Sequence, residues 1–179
     1  MEIHDAIELL RDAVGDADGV WADLGAGTGT FTRALAALLG PGSTIYAVDD
    51  DAAAVRALRG LPSTPDVRVV AVKGDFTKPL ELPAAGEAVL DGILLANALH
   101  FVGDAPNVLG ELAERLRPGG RVVIVEYDRR AASRWVPHPI SASHWPELAD
   151  AAGLHDARVT ARRPSAYQGI LYVGSATKA

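Results

Sequence analysis

The sequence predicts an α/β protein in which helices cover both faces of a mostly parallel sheet. Three observations carry this reading. Strand-like and helix-like segments alternate through most of the chain, a glycine-rich turn joins the first strand to a helix, and two strand-like runs close the sequence. Parallel neighbours need crossover connections, and right-handed crossovers place the intervening helices on the two sheet faces.

Taken in order, Ile3, Ile7, Leu10 and Val14 recur at helical spacing, giving an amphipathic helix that stops at Gly15. A strand follows at residues 20–24, a helix at 30–39, a stop at Gly40-Pro41-Gly42, and a strand at 44–48. The next helix spans 51–59. After Pro62 and Pro65, residues 67–72 are β-branched and mostly apolar, as expected of a strand covered on both faces. Residues 91–96 give the fourth strand, 105–116 a helix stopped by Pro118-Gly119-Gly120, and 121–125 the fifth strand. A helix at 145–152 ends at Gly153, and the runs 157–161 and 170–173 form a terminal hairpin.

The 179 residues, 49% of them hydrophobic, fit one domain over 1–179, opened by a short helical segment at 1–19. A net charge of −6 disfavours nonspecific nucleic-acid binding, which depends on neutralising phosphates, so no nucleic-acid partner is expected. Acids crowd the first third and arginines gather late. The absence of cysteine excludes disulfides, thiolate metal sites and cysteine nucleophiles, and no metal is expected. Acidic residues stand where a signal peptide carries positive charge. No apolar run approaches the roughly 20 residues that span a bilayer. The expectation is a cytoplasmic protein with no membrane insertion.

The stretch "VWADLGAGTGTF" places Gly25, Gly27 and Gly29 between a strand and a helix, where glycine permits positive φ and lets backbone amides approach a ligand. It is not the dinucleotide fingerprint, because the third glycine of G-x-G-x-x-G is replaced by Thr30 or Thr32. Asp23 also opposes a pyrophosphate at the helix N-terminus. A cationic ligand raises no such conflict, and S-adenosylmethionine carries an ammonium, a sulfonium, a ribose and an adenine without phosphate. Residues Asp23 to Gly29 resemble the first motif of class I S-adenosylmethionine-dependent methyltransferases, Asp/Glu-x-Gly-x-Gly-x-Gly. The resemblance implies cofactor contacts from Asp23, Leu24, Gly25, Ala26, Gly27 and Gly29. It also implies a Rossmann-like, doubly wound sheet of seven strands in the order 3-2-1-4-5-7-6 with the last strand antiparallel, which agrees with the terminal hairpin.

Three further stretches fit. In "IYAVDDDAAAV", Asp49 stands at the end of the second strand at the roughly 20-residue spacing expected of an acid that grips both ribose hydroxyls. Asp50 and Asp51 read as cap and first-turn acids of the following helix, and Asp50 is also counted among the cofactor contacts. In "KGDF", Gly74, Asp75 and Phe76 occupy the position that faces adenine in the resembled family. In "LLANALHFV", the resemblance brings the backbone near Ala96 and Asn97 to the methionine end and His100 and Phe101 to the reacting methyl, with His100 the candidate general base. "LRPGGRVVIVEY" resembles the start of the family's fifth strand.

The expected chemistry is in-line methyl transfer to a small-molecule acceptor, leaving S-adenosylhomocysteine. A noncatalytic S-adenosylmethionine-binding module is an alternative, and a nicotinamide-dependent oxidoreductase is disfavoured by Asp23 and Thr30. The loop at 128–145 is the expected substrate wall, with Trp135, His138 and Trp145 forming a pocket above Glu126 or Tyr127, or a satellite hydrophobic cluster under a long loop. Arg129, Arg130 and Arg134 read either as recognising an acidic substrate or as solvated loop arginines. A lid is expected from residues 3–14 with the 129–145 loop, or from a second subunit of a homodimer.

Overall fold

The computed structural model describes residues 1–62, 65–82, 90–128, 130–165 and 169–179. The elements are α1 (Ile3–Val14), β1 (Val20–Leu24), α2 (Thr30–Leu38), β2 (Ser43–Asp49), α3 (Ala52–Arg59), β3 (Val67–Lys73), β4 (Leu90–Ala96), α4 (Ala105–Glu114), β5 (Leu116–Asp128), α5 (Trp145–Ala151), β6 (Leu154–Pro164) and β7 (Ile170–Lys178). The seven strands form a sheet in the order β3-β2-β1-β4-β5-β7-β6. β1 pairs in parallel with β2 and β4, β2 with β3, and β4 with β5. β7 runs antiparallel to both β5 and β6. Order and strand directions are those implied by the family resemblance.

Alternation along each strand divides the core. Trp21, Ile45, Leu94, Val123 and Val173 point to one face, where α1 and α2 cover them with Leu9, Leu10, Ala34 and Leu35. α3 adds Leu58 against Ala47. Ala22, Leu24, Val48, Ile93, Leu95 and Ile124 point to the other face, beneath Leu109 and Leu112 of α4 and Trp145 and Leu148 of α5. The buried stripe of α1 is Ala6, Leu9, Leu10, Ala13 and Val14, while Ile3 and Ile7 are only partly covered. Alanines at 6 and 13 let this helix lie close to its neighbours, so the larger isoleucines fall to the margin. Arg121 of β5 donates to the carbonyls of Ala13 and Val14 at 3.0 and 3.1 Å, satisfying acceptors that the end of α1 leaves without helical partners.

The largest boundary differences from the sequence expectation lie around β5 and in the terminal hairpin. α4 ends at Glu114, and β5 starts at Leu116 rather than after the Pro-Gly-Gly stop. Leu116 pairs with Leu90, the intervening residues bulge out, and regular pairing resumes at Gly92 with Arg121. The hairpin strands are longer than their apolar runs, because polar residues such as Thr177 and Lys178 still join the ladder through their backbones. Among the described residues no helix is long and apolar enough to cross a membrane, and no group of three or more side chains is arranged to hold a metal ion.

The parallel strands end together along one edge, which gathers the turns after β1, β2, β3 and β4. Packing farther down the sheet holds that edge in place. Gly92 of β4 lies opposite Trp21 of β1, and a Cβ there would meet the indole at 2.5 Å. Gly92→Ala should therefore overpack the sheet and destabilise the protein by about 1–3 kcal/mol, read as a lower urea midpoint at unchanged m.

Candidate functional site

The turn after β1 is held from behind. The amides of Gly25 and Ala26 donate to the Val48 carbonyl at 2.9 and 3.0 Å, and the Gly27 amide donates to Asp49 Oδ2 at 2.8 Å. All three glycines have positive φ, at 74°, 56° and 89°, a conformation that side chains resist. Their surroundings differ. A Cβ on Gly25 would sit 2.7 Å from Ala98 Cβ and one on Gly29 would sit 2.8 Å from Leu61 Cδ1, whereas one on Gly27 would touch nothing within 4 Å. Gly27 therefore presents the bare backbone face that a ligand can approach, while Gly29 is glycine for packing against α3.

Asp49 joins two turns. Its Oδ1 accepts from the Asp51 amide at 2.9 Å while Oδ2 holds Gly27. Asp51 caps α3 by accepting from the Ala54 amide at 3.0 Å, which leaves Asp50 on the cleft wall. After β3, Asp75 accepts from the Thr77 amide and hydroxyl at 3.0 and 2.6 Å and pairs with Lys78 at 2.9 Å. The Thr77 hydroxyl first, then Lys78 and the Thr77 amide, hold Asp75 down to about 2, so it is ionised. Asn97, just beyond β4, adopts φ 55°, and its amide donates to Val125 at 2.8 Å. Its Oδ1 is buried with no hydrogen-bond partner.

These residues enclose a cleft of about 300 Å³ bounded by Gly25, Asp49, Asp50, Gly74, Asp75, Phe76 and Asn97, together with Thr77, Ala98, Phe101 and Val102. A second cleft of about 350 Å³ adjoins it, sharing Gly25 and Asn97 and including Ala26, Gly27, Phe31, Tyr127, Asp5 and Arg163. The first cleft suits a ribose and an amino-bearing ring: it has the carboxylates of Asp49, Asp50 and Asp75, an aromatic wall and, among the described residues, no lysine or arginine in its lining. The open face at Gly27 and the unpartnered Asn97 carbonyl mark the passage to the second.

Several expected site residues lie elsewhere. Asp23 is fully buried and lines neither cleft, its Oδ2 accepting from the Thr32 hydroxyl at 2.6 Å and its Oδ1 unpartnered. Burial raises it to about 7, against the Thr32 hydrogen bond and with a smaller contribution from Asp49. The carboxylates that line the first cleft are those of Asp49, Asp50 and Asp75. Leu24 is likewise buried in the core.

His100 is 2% exposed and lines neither cleft. Its Nδ1 lies 2.6 Å from Glu126 Oε2, and its amide donates to Glu126 Oε1 at 3.1 Å. Burial pushes the Glu126 carboxyl up, against the opposing effect of His100. The pair clasps the 3-10 turn at Leu99–Phe101 to the end of β5. The geometry gives His100 a holding role and does not bring it to an acceptor. The sequence singled out both His100 and Glu126, the latter at the base of a substrate pocket, but not their pairing, which holds Glu126 on His100 instead.

Trp145 is fully buried, stacks over Gly174 and donates its indole N–H to the Ser175 carbonyl at 3.3 Å, so it belongs to the core. Trp135 is 65% exposed, with the Arg134 guanidinium 4.3 Å from its ring. His138 is exposed and contributes its amide to the His100 carbonyl at 3.0 Å. Tyr127 does line the second cleft, under the Arg130 guanidinium at 4.5 Å. Arg129 lies outside the described residues. The loop is tethered by His138, by the Ala142 amide on Asp128 at 3.0 Å and by the Tyr172 hydroxyl on Ile140 at 3.0 Å. Nor is α1 a detachable lid, since its inner stripe is core; Met1 and Asp5, at its start, reach the second cleft. Phe31, Arg163 and Leu171 of that cleft carried no sequence signal, because distant segments bring them together.

The buried acid has a measurable signature. An unfolded Asp titrates near about 3.9, so the folded chain retains the Asp23 proton over a window up to about 7. That raised value stabilises the fold at low pH, and the contribution is lost as pH rises through the window. Stability of the native chain relative to Asp23→Asn should fall by about 2–4 kcal/mol between about pH 4 and about pH 8. Urea midpoints at both pH values check this, and a constant difference would contradict it.

The family described as a methyltransferase domain matches residues 22–122. No curated protein matches the chain. The fold is similar to an S-adenosylmethionine-dependent methyltransferase from Aquifex aeolicus, at 19% identity and TM-score 0.71 over 98% of this chain and 90% of that one. It is also similar to the 1,6-didemethyltoxoflavin-N1-methyltransferase of Burkholderia thailandensis, solved with 1,6-didemethyltoxoflavin and S-adenosylhomocysteine, at 24% identity and TM-score 0.67 over 98% and 77%. A Haloferax volcanii structure, a methyltransferase complexed with the Trm112 activator, aligns at 22% identity and TM-score 0.69 over 98% and 88%. With its glycine turn, strand-end acids and antiparallel seventh strand, the chain belongs to the class I methyltransferases, enzymes that take S-adenosylmethionine as cofactor.

Proposed function

We propose that residues 1–179 act as one cytoplasmic domain that transfers a methyl group from S-adenosylmethionine to a small-molecule acceptor by in-line displacement, leaving S-adenosylhomocysteine. The observation that carries this reading is the junction of the two clefts at Gly25 and Asn97. One cleft has the acids and aromatic wall suited to adenosine, and the other has the aromatic walls suited to an acceptor. In-line transfer needs a nucleophile about 3 Å from the methyl carbon, on the side opposite the leaving sulfur, and two adjoining clefts suit that arrangement.

Asp49 would hold the ribose hydroxyls through lone pairs not used by Gly27 and Asp51. Asp75 would accept from the adenine amino group, with Phe76 against the ring. The Asn97 carbonyl would accept from the donor's ammonium. When bound, the cofactor supplies an electrophilic methyl on a sulfonium. The protein would contribute orientation, with donor and acceptor bound filling the two clefts and displacing water from their junction. The Burkholderia relative, crystallised with a small heterocycle, supports a small-molecule acceptor.

Titration calorimetry with S-adenosylmethionine, S-adenosylhomocysteine and NADH tests the donor. Radiolabelled methyl transfer into a metabolite extract separates an enzyme from a noncatalytic binding module. Asp49→Ala should remove two charge-assisted hydrogen bonds to the ribose and weaken S-adenosylhomocysteine by about 2–4 kcal/mol, tens- to hundreds-fold. Unchanged affinity in the same calorimetric assay would mean that the ribose lies elsewhere.

A further inference from the structure

We propose that the cleft between α1 and the β6–β7 hairpin binds a planar ring acid as acceptor, its anionic group replacing Asp5 on Arg163. This rests on assigning the adjoining cleft to the methyl donor.

The walls come first. Phe31 and Tyr127 line the cleft with Leu171, an aromatic and apolar lining that suits a flat ring. The charges at its mouth supply the second part. Arg163 Nη2 lies 2.7 Å from Asp5 Oδ1, with the two side chains 38% and 31% exposed. The Arg130 guanidinium lies 4.5 Å from the centre of the Tyr127 ring. Among the described residues of the cleft's lining, Arg163 is the one cationic side chain and its partner Asp5 the one carboxylate.

An ion pair this exposed contributes little to stability, so an incoming anion can take the place of Asp5 at small cost. Arginine presents five N–H donors in a planar fork, which suits bidentate capture of a carboxylate. The pair then works as an exchangeable latch: Asp5 pre-orients Arg163 and yields it to the ligand. The cleft also restricts the reacting atom. Among the described residues its lining offers no histidine or lysine, Asp5 is engaged by Arg163, and His100 lies behind Glu126. The acceptor must bring its own lone pair, as an ionised hydroxyl or an unprotonated nitrogen does.

Nuclear magnetic resonance titration of the full chain, saturated with S-adenosylhomocysteine, provides the test. The probes are 2-naphthoate and 2-naphthylmethylamine. Naphthoate should give saturable shifts at Tyr127 and Leu171 and bind at least about tenfold more tightly than the amine. Arg163→Gln should weaken naphthoate about tenfold, whereas Asp5→Asn, which removes the competing carboxylate, should leave it equal or tighter. Arg163→Lys keeps a charge beside α1 and should show an intermediate loss, which preserves the test if the glutamine variant does not fold. Equal binding of the amine, absence of saturable shifts at Tyr127, or equal weakening by Asp5→Asn and Arg163→Gln would overturn the proposal. So would a fall in S-adenosylhomocysteine affinity in Arg163→Gln, which would place the arginine on the donor. Failure of the unsubstituted chain to bind S-adenosylhomocysteine would instead remove the donor assignment beneath it.

Discussion

The site depends on the carboxylate of Asp49, which fastens the turn after β1 to the turn after β2 by accepting from Gly27 and Asp51 with its two oxygens. A backbone at positive φ with no side chain has many alternative conformations, so a glycine turn becomes a binding surface only when something fixes it. Here the Val48 carbonyl and Asp49 do so from the neighbouring parallel strand. The same residue lines the first cleft, so one group both fixes the turn and forms part of the cleft wall.

Charge is distributed with depth around this point. Asp75, exposed to its hydroxyl, amide and ammonium partners, stays ionised, whereas Asp23, sealed beneath α2 with a single hydrogen bond, is driven toward the neutral form. Two acids of identical chemistry thus do different work. The one at the surface keeps its charge on the cleft wall. The buried one hydrogen-bonds Thr32 and ties β1 to α2 at the base of the turn. Glu126 follows the same logic on the other side of the sheet, where its burial is offset by His100 and by the amides of the 3-10 turn. That clasp ties the 3-10 turn beside Asn97 and Ala98 to the end of β5, behind the wall where the two clefts meet.

Beside the second cleft, order is imposed by tethers. Asp128, Tyr172 and the His100 carbonyl each hold the segment between β5 and α5, and α1 is anchored through its buried stripe. Only the first turn of α1 contributes to the second cleft, through Met1 and the Asp5–Arg163 pair. The two charged side chains come from opposite ends of the chain, and the antiparallel β7, inserted between β5 and β6, brings Arg163 to that place.

The amino-acid sequence by itself determined the alternation of elements, the glycine turn, the strand-end acids and the terminal hairpin, because each is written in neighbouring residues through hydrophobic period, turn chemistry and local spacing. Gly25, Gly27, Asp49, Asp75, Phe76 and Asn97, which line the two clefts, could therefore be singled out before any coordinates. Only the tertiary structure decided which side of the wall each residue occupies. Asp23, Leu24 and Gly29 belong to the same motif as Gly27 yet face the core or α3, His100 turns inward to Glu126, Trp145 fills the space over Gly174, and Trp135 faces solvent. Burial and facing depend on residues far away in the chain, as the pairing of Asp5 with Arg163 shows, and no local pattern encodes such distances.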